Sequence, residues 1–144
     1  MEFVVHGLAQ PAGSKKGFVN PKTGRVIITD DAKKSRPWKA IVTDAAVKAM
    51  DGRPRYDQAL SVSFVFVVPE PKNHRTSTGA LSAAGKRQPW PTTRPDLLKL
   101  ARAIEDALTG VVYRDDSLIV QERLIKDYAR DGEAPHVRII ILPM

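Results

Sequence analysis

The chain contains no cysteine, so a disulfide framework and a thiolate metal site are both excluded. No apolar run approaches the roughly 18 residues that a membrane-spanning helix needs. The opening MEFVVHGLAQ has neither the basic start nor the apolar length of a secretion signal. The expectation is a cytoplasmic protein with no membrane partner. Histidine is scarce, and His6, His74 and His136 are scattered without metal-ligand spacing. Residues 13–17 read GSKKG and lack the Gly-Lys-Ser/Thr ending of a phosphate-binding loop, so no nucleotide cofactor is implied. No serine sits in a nucleophile-elbow motif, which leaves acyl transfer unsupported.

Positive charge is what the chain has in excess. Its 144 residues suit one compact domain, 1–144, and 42% apolar content allows a modest core. The net charge is +7 and the isoelectric point is near 9.9, a balance that points to a polyanionic partner, nucleic acid before membrane. Residues 1–94 carry 16 Lys/Arg against 7 Asp/Glu, whereas residues 95–144 carry 7 against 9. Five of those nine acids are Asp96, Glu105, Asp106, Asp115 and Asp116. A basic chain with one acidic spot suits a metal-using nuclease: cations hold the phosphates, and carboxylates hold the ion that neutralises them locally. The plainer alternative is a soluble basic domain with ordinary surface charge.

The hydropathy pattern predicts an α+β domain, a mixed sheet with two main helices. Residues 2–7 read as a short strand, residues 10–22 as a Gly/Pro/Ser/Lys loop, and residues 25–29 as a second strand. Thr29-Asp30-Asp31 are placed to cap a helix reaching Met50, with Trp38, Ile41, Val42, Ala45 and Ala49 on its buried face. Pro37 argues that the regular helix starts closer to itself. Leu60 to Val68 is the strongest strand signal: Val62, Phe64, Phe66 and Val68 make one apolar face, and the other face is mixed, as in a central strand. A long basic loop with five prolines follows at 69–95. Then come a helix over 96–109 closed by Gly110, and two strands over 117–129 and 136–142.

The segment from Arg94 to Val120 carries the functional argument. Asp96 stands at the N-cap position of its helix, where plain capping is one role. On a wheel, Leu97, Leu100, Ala101, Ile104 and Leu108 face the core, while Leu98, Arg102, Glu105 and Thr109 share one flank. Arg102 and Glu105 are also spaced for a weak surface ion pair. Asp115-Asp116 reads as a turn before a strand, or as carboxylates that the nearby helix brings into reach of Asp96 or Glu105. Mg²⁺ takes oxygen ligands and keeps several waters, so two or three carboxylates suffice.

This stretch resembles the RusA family of Holliday junction resolvases, common in phages and prophages. Arg94-Pro95-Asp96, Leu100, Arg102, Asp106-Ala107-Leu108 and Asp115-Asp116 match its signature position by position. Gly7 to Lys16 resembles the family's loop after the first strand, Phe64 to Pro71 its central strand and proline turn, and Pro89 to Thr93 the lead into the signature. The resemblance implies a RusA-like fold and a homodimer that cuts four-way DNA junctions in pairs with Mg²⁺, or Mn²⁺, in recombination and repair. It implies Asp96 and Asp116 as metal ligands, with Asp115 the other member of the pair, and Arg102 in place of a functional lysine near the scissile phosphate. One departure matters. The family's second aspartate falls on Leu98, which cannot bind a cation. Either Glu105, about 10.5 Å further along the same flank by helix rise, supplies the missing oxygen, or the chain is an inactive copy that still binds junctions. A third reading is a basic phage structural or regulatory protein whose acids only cap and turn.

Lys15, Lys16, Lys72, Arg75, Lys86, Arg87 and Arg94 stud the two loops and are the expected phosphate contacts. Trp90 either stacks on an unpaired base or packs between prolines.

Overall fold

The computed structural model describes residues 1–13, 15–30 and 33–144, and the side chains of Lys15, Lys16, Thr29 and Asp30 also lie outside the described part. Four strands, β1 (Glu2–His6), β4 (Leu60–Val68), β5 (Ile119–Tyr128) and β6 (His136–Pro143), form one sheet in the order β1-β6-β4-β5. Strand β4 pairs antiparallel with β6 and parallel with β5, so it lies inside the sheet as its hydropathy requires. Leu60, Val62, Phe64 and Phe66 on one side are buried, as are Val137, Ile139 and Ile141 of β6. Two helices cover this side, α1 (Ser35–Met50) and α3 (Leu97–Leu108). Trp38, Val42, Ala46, Leu100, Ile104 and Leu108 complete the core.

The helices are tied together by polar contacts as well. Lys39 Nζ lies 2.8 Å from Asp106 Oδ2, and Thr43 Oγ1 donates to the Ala107 carbonyl at 3.2 Å. Helix α1 begins at Ser35 rather than near Thr29, because Thr29 and Asp30 belong to a strand. Pro37 then falls in the first helical turn, where its missing N–H costs nothing. Asp31, the third proposed cap residue, lies outside the described residues.

Two segments read as loops contain regular structure. Residues 15–19 form β2, which pairs antiparallel with β3 (Val26–Asp30) as a separate two-stranded ribbon. Within 69–95, a 3₁₀ turn over Lys72–His74 and a five-residue helix α2 (Ala83–Arg87) pack on each other. Gly85 permits this approach: a Cβ there would lie 2.5 Å from the His74 carbonyl oxygen, a backbone atom that cannot swing aside. The ring of buried His74 in turn stands edge-on to Tyr128 at 5.3 Å. Gly85→Ala should therefore destabilise the protein by about 1–3 kcal/mol despite alanine's better helix propensity. Urea unfolding checks this; unchanged or higher stability would refute the close approach.

Candidate functional site

Helix α3 is held by its apolar side, with Leu100, Ala101, Ala103, Ile104, Ala107 and Leu108 buried, and shows solvent the flank that carries Leu98 and Arg102. Its far end is pinned at one atom. The Glu105 carbonyl accepts from the Thr109 N–H at 2.9 Å, the Thr109 hydroxyl at 2.9 Å and the Tyr113 hydroxyl at 3.2 Å. Burial and the charge of Glu105 keep that tyrosine in its protonated, donating form. Glu105 thus has a fixed backbone and a half-buried side chain.

Strand β5 runs back along the helix. Near the start of α3, Lys126 Nζ donates to the carbonyls of Thr93 and Pro95 at 2.7 and 2.9 Å. Towards the end of the helix, Glu122 meets Glu105. A register shift places Glu122 there: Leu60 pairs with Ile119, but Ser61 pairs with Gln121 and Val62 with Glu122. Without the extra residue, Gln121 would sit beside Val62 and Glu122 would turn to the opposite face of the sheet. One inserted residue re-aims every side chain after it. Glu105, Asp116 and Glu122, with Ser117, Ile119, Val120 and Gln121, line an open cavity of about 310 Å³.

The carboxylates in this cavity crowd one another. Glu105 is pushed up to about 7, first by burial, then by the charge of Glu122 and a side-chain hydrogen bond with it, and by Asp116 and Asp106. Asp116 is exposed beside this pair. Among the described residues, no lysine or arginine forms an ion pair with any of the three. Mutual repulsion without a basic partner is what a cation would relieve, and the donor set, all oxygen, suits a hard divalent ion. Among the described residues there is no ready-made group of three or more His, Asp or Glu side chains arranged to hold a metal. The fit is that of a two-carboxylate site with a third close by, which Mg²⁺ accepts when water fills its other positions.

The remaining expected residues are dispersed. Asp96 has the extended backbone of an N-cap but its side chain makes no capping bond. It lines a different cleft, of about 680 Å³, with Arg94, Lys99, Lys126, Tyr128 and several prolines. Nine residues of helix, about 13 Å of rise, separate it from Glu105. Asp115 is occupied: its Oδ1 accepts from the Ser117 N–H at 2.9 Å and caps the 3₁₀ turn over Asp116–Leu118, and hydrogen bonding first to the Ser117 side chain and then to this N–H holds its acid below the usual range. Arg102 is exposed one turn before Glu105 and does not form the ion pair that its spacing allows.

Among the expected phosphate contacts, Lys72, Lys86, Arg87 and Arg94 are exposed. Arg75 differs, because Glu70 holds its guanidinium at 2.9 Å and the Gly79 carbonyl accepts from it at 3.3 Å. The side chains of Lys15 and Lys16 lie outside the described residues. Trp90 is 56% exposed, so about half of it faces solvent. Glu122 was not among the expected residues; its place beside Glu105 depends on the register shift, for which the sequence carries no sign.

The fold and this acidic recess on a basic chain define the class: an α+β domain with a carboxylate site between a helix and a parallel strand pair. A sequence model of the RusA endodeoxyribonucleases matches residues 9–142, and the chain belongs to that family. It is also 32% identical over 143 residues to the Bacillus subtilis (strain 168) protein YqaN, covering 98% of this chain and 94% of that one. Among the described residues no helix is long and apolar enough to cross a membrane.

The raised Glu105 carboxyl gives a pH prediction. Its folded value, about 7, lies above the usual 4.5. Its contribution to stability is therefore fully present below about 4.5 and is lost as pH rises through 7. In chelator, Glu105→Gln should melt progressively higher than the wild type as pH rises from 4.5 to 8. A difference in Tm that stays constant over this range would contradict the crowding.

Proposed function

We propose that this member of an endodeoxyribonuclease family cuts branched DNA, resolving four-way junctions as a homodimer with Mg²⁺ held by Glu105, Asp116 and Glu122. The observation that carries the reading is the Glu105–Glu122–Asp116 recess, acidic, oxygen-rich and without a basic partner among the described residues, on a chain of net charge +7. A cation bound there would neutralise charge on a phosphate and activate water for hydrolysis. The chain's own groups do the rest. Arg102, one turn along the same helix and exposed, is placed to receive a phosphate oxygen and stabilise the charge that grows on it. Lys72, Lys86, Arg87 and Arg94, all exposed in the segment 69–95, contact the DNA phosphates, which makes binding steeply salt-dependent. A two-fold dimer presents two such sites and cuts two strands symmetrically. Asp96, at the family's aspartate position, lies outside this recess and lines a different cleft.

A second reading has a specific observation behind it. Leu98, at the position of a family aspartate, is 73% exposed on the flank shared with Arg102, so nothing in the packing demands a leucine there. An inactivated protein that binds junctions without cutting them is the alternative.

Nicking of a synthetic four-way junction, with Mg²⁺ and with chelator, separates the two. The first reading expects cation-dependent nicking, reduced about 100-fold or more by Glu105→Gln, Asp116→Asn or Glu122→Gln with binding retained, since several kcal/mol rest on the cation. Melting of the protein alone with added Mg²⁺ locates the ion: the rise in Tm should persist in Asp96→Asn and vanish in Glu105→Gln. Binding without nicking, together with cleavage restored by Leu98→Asp, would establish the second reading instead.

A further inference from the structure

The β2–β3 ribbon is built for contact with something outside its own fold. Its strands pair with each other and join no strand of the main sheet. Such a ribbon alone is marginal in water, yet this one shows solvent Phe18 at 51%, Val19 at 62%, Val26 at 68% and Ile28 at 68% exposure. The register puts apolar side chains on both faces: Phe18 opposes Ile27 on one, while Val19 opposes Val26 on the other, beside Ile28. Between the strands the tip exposes Lys22 and Arg25.

Charge selects the occupant. Residues 15–30 contain Lys15, Lys16, Lys22 and Arg25 against Asp30 alone. Two identical ribbons of that charge repel each other, whereas a polyanion attracts both. Among polyanions, intact duplex offers its phosphates but hides its apolar base faces; a branch point, where stacking is interrupted, offers both. A two-stranded ribbon fits a major groove about 12 Å wide, and apolar side chains wedged at a base step open it. We propose that the β2–β3 ribbon enters the DNA branch point, with Phe18, Val19, Val26 and Ile28 against unstacked bases and Lys22 and Arg25 on the flanking phosphates. This inference rests on the reading of the chain as a nuclease of branched DNA.

The test uses the full chain in chelator and a four-way junction with 2-aminopurine beside the branch point, whose fluorescence rises on unstacking. Wild type should raise it. Phe18→Ser combined with Ile28→Ser should abolish the rise and lower the preference for junction over linear duplex at least tenfold, with duplex affinity and Tm unchanged. Lys22→Glu with Arg25→Glu should weaken junction binding and reduce its salt dependence by about two counterions. A wild-type fluorescence rise in the Phe18/Ile28 double variant would overturn the proposal while leaving the nuclease reading intact. So would sedimentation showing that this variant dissociates a dimer, since the ribbon's occupant would then be a second copy of the chain. Failure of the wild type to bind either DNA would remove the nuclease reading and the ribbon's role with it.

Discussion

The candidate site depends on one mechanical constraint, the docking of α3 by its apolar side beside a strand that runs back along it. Leu100, Ile104 and Leu108 are fully buried, so the helix cannot roll without exposing them, a penalty of about 1.5–3 kcal/mol for each large side chain. Only the short stretch from Thr109 to Leu118 separates helix from strand, and Thr109 and Tyr113 lock its near end to the Glu105 carbonyl. With both elements fixed, Glu105, Asp116 and Glu122 are held together although like charges repel. Core packing supplies what keeps the acids close, and the acids spend part of that stability. Such a trade is characteristic of functional sites.

The charge of the molecule reinforces the arrangement. Among the described residues, the lysines and arginines in ion pairs engage acids other than Glu105, Asp116 and Glu122: Lys39 with Asp106, Arg75 with Glu70, Arg114 with Asp57, Arg130 with Asp127 and Arg138 with Glu2. Exposed cations remain at Lys72, Lys86, Arg87 and Arg94. An acidic recess on a chain of net charge +7 would let a polyanion approach while leaving the acids to a small cation. The membership in the RusA endodeoxyribonucleases is consistent with that division of labour, which the proposed mechanism uses directly.

Much of this was legible in the sequence where one physical rule dominates. Strand β4 and helix α3 are written in periodic apolar residues, and Glu105 and Asp116 are neighbours because only a short turn parts their elements. What escaped depended on longer-range or finer geometry. Glu122, though exposed, faces Glu105 because of a register shift opposite Leu60 and Ser61, and alternation along β5 does not reveal one extra residue. Strand β2 hides in KKGFV, where lysines and a glycine mask the pattern. Helix α2 is five residues long and contains a glycine required by packing rather than by propensity. Asp96 was rightly placed at the head of its helix, yet its carboxylate does not cap. Position on a helix is set locally, whereas the partner of a side chain is set by whatever the fold brings near.

The central claim is that Glu105, Asp116 and Glu122 share a divalent cation. Crystals soaked in Mn²⁺ and measured at the manganese absorption edge test it most directly. The account predicts an anomalous peak within coordination distance of Glu105 and Glu122, with Asp116 adjoining. A peak at Asp96 with none in the recess, or no site on any of these carboxylates, would contradict it.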